Sequence, residues 1–249
     1  MARIVLPRGT SSTVEIEKSI VNKGLHLSTT KGLVKKVNED RVGCVEEGKF
    51  IRICVADGHW GGGAADITVK FWNSIAKFPK NKNEAVRLTE HLQKKLFEKF
   101  GQQKMDETKD FTPETSFLVL EVSEGNIKLL SYGDCRLLVC RKGKVKYELG
   151  TKQTWLGAFS HLGLRKRLKV EETLIFTNMK LKAGDTILAF SDGIDECRYE
   201  QQTIKPNQLA SLADVADLQK IVDEIYSRVF AEGAEDNASL VVLRTETKH

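Results

Sequence analysis

Five aspartates stand at the edges of apolar, strand-like runs. Asp57 closes FIRICVA, Asp134 follows IKLLSYG and Asp192 closes TILAFS. Asp40 lies in NEDR ahead of a strand-like run, and Asp236 precedes ASLVVL. Two of the junctions repeat, VADG and FSDG, each an apolar run followed by Asp-Gly. A carboxylate at the end of a buried strand is costly unless it is paired or metal-bound. One such aspartate is ordinarily a turn residue. Five of them in similar settings point to a metal. Carboxylates and carbonyls suit hard cations, Mg²⁺ or Mn²⁺ ahead of Ca²⁺. Zinc is disfavoured, because His26, His59, His91, His161 and His249 lie far apart and show no ligand spacing. Carboxylates shared between two adjacent hard cations suit a centre that activates a water and clamps phosphoryl oxygens. Phosphate-ester hydrolysis is therefore the leading reaction class.

The stretch VADGHWGGGAAD, residues 55–66, admits three readings: a nucleotide-binding turn, a metal site or a tight corner. Its glycines are Gly58, Gly61, Gly62 and Gly63, which do not form G-x-G-x-x-G, and no G-x-x-x-x-G-K-[ST] loop occurs in the chain. The nucleotide reading weakens accordingly. The glycines read better as room for the backbone beside a metal site and as entry to a helix.

The elements that must hold these residues alternate irregularly. Residues 12–30 suit an opening strand or two around Gly24, and Lys49 to Ala56 suits a strand. Residues 63–77 suit a helix. Ala85, Leu88, Leu92, Leu96 and Phe100 recur at three- and four-residue steps and predict a helix over 83–101. TSFLVLEV, IKLLSYG, RLLVCRKG and KVKYEL then read as a meander of antiparallel strands, continued by 173–180 and 185–191. Val215, Leu218, Val222, Ile225 and Val229 predict a late helix, with Ser211 or Asp214 as its cap. A strand over 238–243 follows. Strands and helices do not alternate one for one, which favours α+β layers over a doubly wound parallel sheet.

Composition sets the remaining bounds. The chain has 249 residues and is 41% hydrophobic, enough for a large core within one domain spanning 1–249. Net charge is +5, but the densest basic run, Arg165-Lys166-Arg167-Leu168-Lys169, is short. Aromatics are not interleaved with it, so a solvated face or a patch for an acidic partner is expected and nucleic acid is not. The five cysteines (Cys44, Cys54, Cys135, Cys140, Cys197) form no C-x-x-C and mostly sit in apolar runs, which suits a reducing compartment. No signal-peptide core and no membrane-length apolar stretch are visible. A cytoplasmic, monomeric protein with no membrane partner is the expectation.

NED (38–40), DGHWGG (57–62), GDCR (133–136), SDG (191–193) and EDNAS (235–239) occur in this order across some 200 residues. Each is weak alone, but the ordered set resembles the motifs of the metal-dependent protein phosphatases, the type-2C or PPM family. The resemblance implies an α-β-β-α sandwich, two antiparallel sheets flanked by helices, with metals at one end. It implies hydrolysis of phosphoserine and phosphothreonine by a water bridging two Mn²⁺ or Mg²⁺ ions. By motif position Asp57 bridges the metals. Glu39, Asp192 and Asp236 supply further carboxylates, Gly58 supplies its carbonyl, and Asp40 contacts metal-bound water. A third ion, found in some members, would take Asp134, Asp192 and Glu196. His59 matches the general acid that protonates the leaving alkoxide, a task suited to an imidazole. A phosphoprotein substrate, with a cognate kinase opposing the reaction, is implied as the partner.

Three departures stand out. Lys35, beside Lys36, occupies the place of an arginine that grips the substrate phosphate, and lysine is a point charge rather than a fork. Trp60 stands where a small residue is usual. The interval from GDCR to SDG is short, which predicts a reduced or absent flap subdomain and a more open site. Two alternatives to a protein phosphatase remain: a pseudophosphatase that binds without hydrolysing, and a phosphoesterase for small phosphorylated molecules.

Overall fold

The computed structural model describes residues 2–7, 14–22, 24–101, 112–123, 125–150, 154–158, 161–162, 166–167, 169–198 and 201–245. Two antiparallel sheets face one another. The first runs β1 (Ala2–Leu6), β4 (Arg41–Glu47), β5 (Phe50–His59), β6 (Glu114–Ser123), β7 (Asn126–Tyr132), β13 (Ile175–Lys180), with β10 (Leu156–Gly157) joined to the Glu114 end of β6. The second runs β2 (Glu17–Asn22), β3 (Leu25–Thr30), β15 (Ala238–Arg244), β14 (Thr186–Phe190), β8 (Arg136–Arg141), β9 (Lys144–Leu149). Helices α1 (Gly63–Ser74) and α2 (Lys82–Phe100) cover the first sheet, while α4 (Pro206–Leu212) and α5 (Leu218–Glu232) cover the second. This is the α-β-β-α sandwich that the motifs imply.

Side-chain alternation builds the layers. On β5, Ile53 and Val55 enter the core between the sheets, whereas Cys54 and Ala56 pack under α1 and α2. On β8, Leu137 and Val139 point inward, and Leu138 and Cys140 meet α4 and α5. Each fully buried Leu, Ile or Phe contributes about 1.5–3 kcal/mol relative to exposure. All five thiols are buried and free, so cysteine acts here as a small hydrophobe. Among the described residues no helix is long and apolar enough to cross a membrane.

Several elements differ from the sequence reading. The strand expected to stop at Ala56 runs on through Asp57 and Gly58 to His59, because β6 pairs with it to Glu114. The expected meander is divided: β7 and β8 belong to different sheets, and the chain crosses between them at Gly133-Asp134-Cys135. Gly133 (φ +97°) is fitted to that crossing, since a Cβ there would lie 2.3 Å from both Ser116 Cβ and the Thr154 carbonyl oxygen. Helix α1 ends three residues before the expected Lys77, where buried Arg52 from β5 donates to the carbonyls of Trp72 and Ile75 at 3.4 and 2.7 Å.

Neither Ser211 nor Asp214 caps the late helix. Ser211 lies inside α4, and Asp217 caps α5 by accepting the Gln219 amide at 2.9 Å. The interruption has a cause in Arg244, whose guanidinium binds the carbonyls of Ala213, Val215 and Ala216. The N-terminal β1 has no counterpart in the sequence reading and pairs with β4. In place of a flap, the described part of residues 150–174 holds β10, the two-residue strands β11 (His161–Leu162) and β12 (Lys166–Arg167), and α3 (Val170–Thr173). Of the basic run, Lys166 and Arg167 form β12 and Lys169 is exposed, while Arg165 and Leu168 lie outside the described residues.

Candidate metal centre

The carboxylates collect at one end of the sandwich, where the chain changes sheets or enters a strand. Asp57 comes from β5 of the first sheet. Glu39 and Asp40 lie on the connection from β3 to β4, and Asp134 on that from β7 to β8; both connections pass between the sheets. Asp192 follows β14 at the start of a 3-10 turn, Asp192–Ile194, and Asp236 precedes β15. A cavity of about 400 Å³ is lined by Lys35, Glu39, Asp57, Gly58, His59, Trp60, Asp134, Trp155, Asp192, Glu196 and Asp236. It thus gathers every candidate site residue except Asp40, which is fully buried.

Both Asp-Gly junctions are explained by close backbone approach. A Cβ on Gly58 would lie 2.2 Å from the Glu39 carbonyl oxygen, and one on Gly193 2.0 Å from that of Asn237. Each glycine therefore lets one carboxylate-bearing segment pass directly against the next. Asn237 joins two of these segments. Its side-chain oxygen accepts the Glu39 amide at 2.8 Å, and its amide group donates to the carbonyls of Lys31 and Val37, both at 3.0 Å. Ser191 donates to Asp40 Oδ2 at 2.7 Å and accepts the Ser239 amide at 2.9 Å. Arg41 donates to the carbonyls of Asn38 and Asp40 at 3.1 and 2.7 Å, fixing the NED loop.

The electrostatics are those of crowded anions. Burial, then the charges of Asp192, Asp40, Asp134 and Asp236, push the Asp57 carboxyl well above the usual carboxylate range. Asp192 is raised in the same way, by burial and then by Asp134, Asp236, Asp40 and Glu196. Burial raises Asp40 to about 6, against the hydrogen bond from Ser191. Asp134 is also raised, chiefly by burial. The buried Oδ1 atoms of Asp40 and Asp134 have no hydrogen-bond partner.

Two cations face the cluster. Lys35 Nζ stands 2.9 Å from Asp236 Oδ1. Burial pulls the Lys35 ammonium down, but Asp236, Glu39 and Asp57 outweigh it and hold it above its usual value. Arg136 pairs with both Asp195 and Glu196. Among the described residues, no three His, Cys, Asp or Glu side chains already stand at metal-holding geometry. The donor set nevertheless fits hard cations. It consists of oxygens, it is buried at Asp40 and Asp134 and half-buried at the rest, its members repel one another, and two oxygens lack partners.

Sequence reasoning overlooked Glu114 and Trp155. His59 Nδ1 lies 3.0 Å from Glu114 Oε1. The His59 ring is stacked on Trp155 at 4.9 Å between centroids and tilted against Trp60 at 4.5 Å. Trp60 adopts φ +63° and is 47% exposed. A bulky residue in the left-handed region marks backbone strain held by its surroundings. Glu114 stands just before TSFLVLEV, and its contact with His59 arises only because β5 runs past Asp57.

Residues 50–246 match the family model for stage II sporulation protein E (SpoIIE). No curated protein sequence matches the chain. Among solved structures, a bacterial serine phosphatase superimposes with a TM-score of 0.73 at 13% identity, over 92% of this chain and 100% of that one. The serine/threonine phosphatase of S. agalactiae gives 0.70 at 16%, over 93% and 100%. The catalytic domain of the serine/threonine phosphatase PstP in complex with two manganese ions gives 0.65 at 14%, over 93% and 99%. At such identities the superpositions speak for the fold. The family match, which covers most of the chain, shows that it belongs to the SpoIIE family, of the type-2C-like (PPM) phosphatases.

Proposed function

We propose that the chain is a metal-dependent phosphatase that hydrolyses phosphoserine or phosphothreonine in a protein substrate. The observation that carries this reading is the convergence of Asp57, Asp134, Asp192 and Asp236, with Glu39, on one cavity where the crowded carboxylates repel one another. Asp57, Glu39, Asp192, Asp236 and the Gly58 carbonyl would hold two Mg²⁺ or Mn²⁺ ions, and Asp134, Asp192 and Glu196 a third. When bound, the ions neutralise these charges and supply an activated water and a clamp for phosphoryl oxygens.

The remaining work falls to the chain's own side chains. Lys35, which lines the cavity, offers a point charge to the substrate phosphate on leaving Asp236. His59 holds the proton that the leaving alkoxide needs. Asp40 and Ser191, beneath the cavity, orient the carboxylates above them.

The test is phosphate release from a phosphothreonine peptide and from p-nitrophenyl phosphate with Mn²⁺ present. Turnover that chelator abolishes and fresh Mn²⁺ restores is expected. Metal binding without turnover of either substrate would leave a pseudophosphatase. Turnover confined to small phosphate esters would point to a phosphoesterase of small molecules.

A further inference from the structure

One face of the β5–β6 pair changes character along its length. The cross-strand pairs Ile53–Leu120 and Val55–Leu118 belong to the dry core. The next pairs on that face are Asp57–Ser116 and His59–Glu114. The ladder thus passes from hydrocarbon to metal carboxylate to an imidazole–carboxylate contact, and Glu114 is the last member of the face that carries Asp57. Its place is enforced from the other side. Gly157 of β10 pairs with Glu114, and a Cβ on Gly157 would lie 2.9 Å from Glu114 Cβ. The same short strand follows Trp155, whose ring stacks on His59. Glu114 is largely shielded, with its side chain 18% exposed against 34% for His59.

On the premise of the phosphatase reading above, we propose that Glu114 is a positioning residue: its carboxylate holds the proton on His59 Nδ1 and aims the ring across the β5–β6 ladder, while Trp155 and Trp60 hold the ring plane. A carboxylate accepts hydrogen bonds, so His59 Nδ1 is the donor at 3.0 Å. Nε2 is then the nitrogen that serves the substrate: as general acid the ring carries both protons, Nδ1–H on Glu114 and Nε2–H towards the leaving oxygen. As the P–O bond to the serine or threonine oxygen breaks, its electron pair stays on that oxygen and takes the Nε2 proton. Water forms the new P–O bond, and a proton from that water returns to Nε2. Glu114 touches neither substrate nor reacting atoms and acts through His59 alone.

The proposal predicts a dependence on the leaving group. A serine or threonine alkoxide needs the proton, whereas p-nitrophenolate departs without it. Glu114→Ala should therefore lower kcat/KM on a phosphothreonine peptide by about 10- to 100-fold, part of the 10²–10⁴ a positioned general acid supplies. It should leave p-nitrophenyl phosphate within a few-fold. Glu114→Gln keeps an acceptor oxygen and should retain most peptide activity. In a His59→Ala background, Glu114→Ala should add no further loss. Glu114→Met, close in size and without an oxygen, gives the same readings should the alanine variant loosen the strand.

Independently of turnover, ¹⁵N imidazole spectra of the neutral ring should show the Nδ1–H form of His59 in the wild type and in Glu114→Gln, and a tautomer mixture in Glu114→Ala. The His59 signal is assigned by its absence in His59→Asn. An unchanged tautomer signal in Glu114→Ala overturns the proposal, as does a parallel loss on both substrates in an active enzyme. A wild type that turns over neither substrate overturns the phosphatase reading as well.

Discussion

Asp57 and Asp192 carry the cost of the site, because burial and mutual repulsion both act on them. Removing one charge should have opposite effects on the two properties of the protein. Asp57→Asn or Asp192→Asn should abolish turnover in the presence of Mn²⁺. Each should also raise the thermal midpoint of the chelator-treated protein, since a repelling buried charge has gone. Calorimetry on the same samples checks the second half. Ser191→Ala removes the 2.7 Å hydrogen bond to Asp40. It should weaken Mn²⁺ affinity by less than the roughly 10- to 100-fold that losing the partner of a direct metal ligand costs, and titration calorimetry measures that directly. The carboxylates were legible in the sequence because polar residues that interrupt apolar runs are conspicuous. Glu114 was not: one glutamate beside a threonine has no local signal, and its pairing with His59 arises from register between strands 55 residues apart.

At the scale of elements, the glycines after Asp57 and Asp192 are spatial requirements. Gly58→Ala and Gly193→Ala would force a methyl group to 2.2 and 2.0 Å from a backbone oxygen. Each should cost about 1–3 kcal/mol or more and displace the neighbouring carboxylate segment, read as a lower urea midpoint together with lost Mn²⁺ affinity. Asp217→Ala, far from the site, should cost about 1 kcal/mol through the lost helix cap and leave metal affinity unchanged. The amphipathic helices α2 and α5 were legible from their spacing. The crossing at Gly133 and the break between α4 and α5 were not. The first depends on space left by Ser116 and Thr154, and the second on Arg244 reaching back from the last strand to Ala213, Val215 and Ala216. Both causes lie far away along the chain, where periodicity cannot report them.

At the scale of the whole molecule, the two-sheet frame holds together charges that would separate in solution, and its stability should report that. The folded-state values of Asp40, Asp57 and Asp192 are raised, Asp40 to about 6, against 3.8 for each ordinarily. Between those limits the folded state binds more protons than the unfolded one, so stability falls as pH rises. For these groups it is fully present below pH 3.8 and lost as pH passes through the folded values. The thermal midpoint of chelator-treated protein should therefore rise as pH is lowered from 7.5 towards 6. Mn²⁺ added at pH 7.5 should raise it as well, by mass action on the folded state. Metal-dependent hydrolysis at Asp57 is tested by Mn²⁺-dependent phosphate release from a phosphothreonine peptide, wild type against Asp57→Asn, with both proteins shown to be folded. Turnover by the wild type that chelator removes, and none by Asp57→Asn, is the expected result. Full activity in Asp57→Asn, or wild-type turnover that survives chelator, would contradict it.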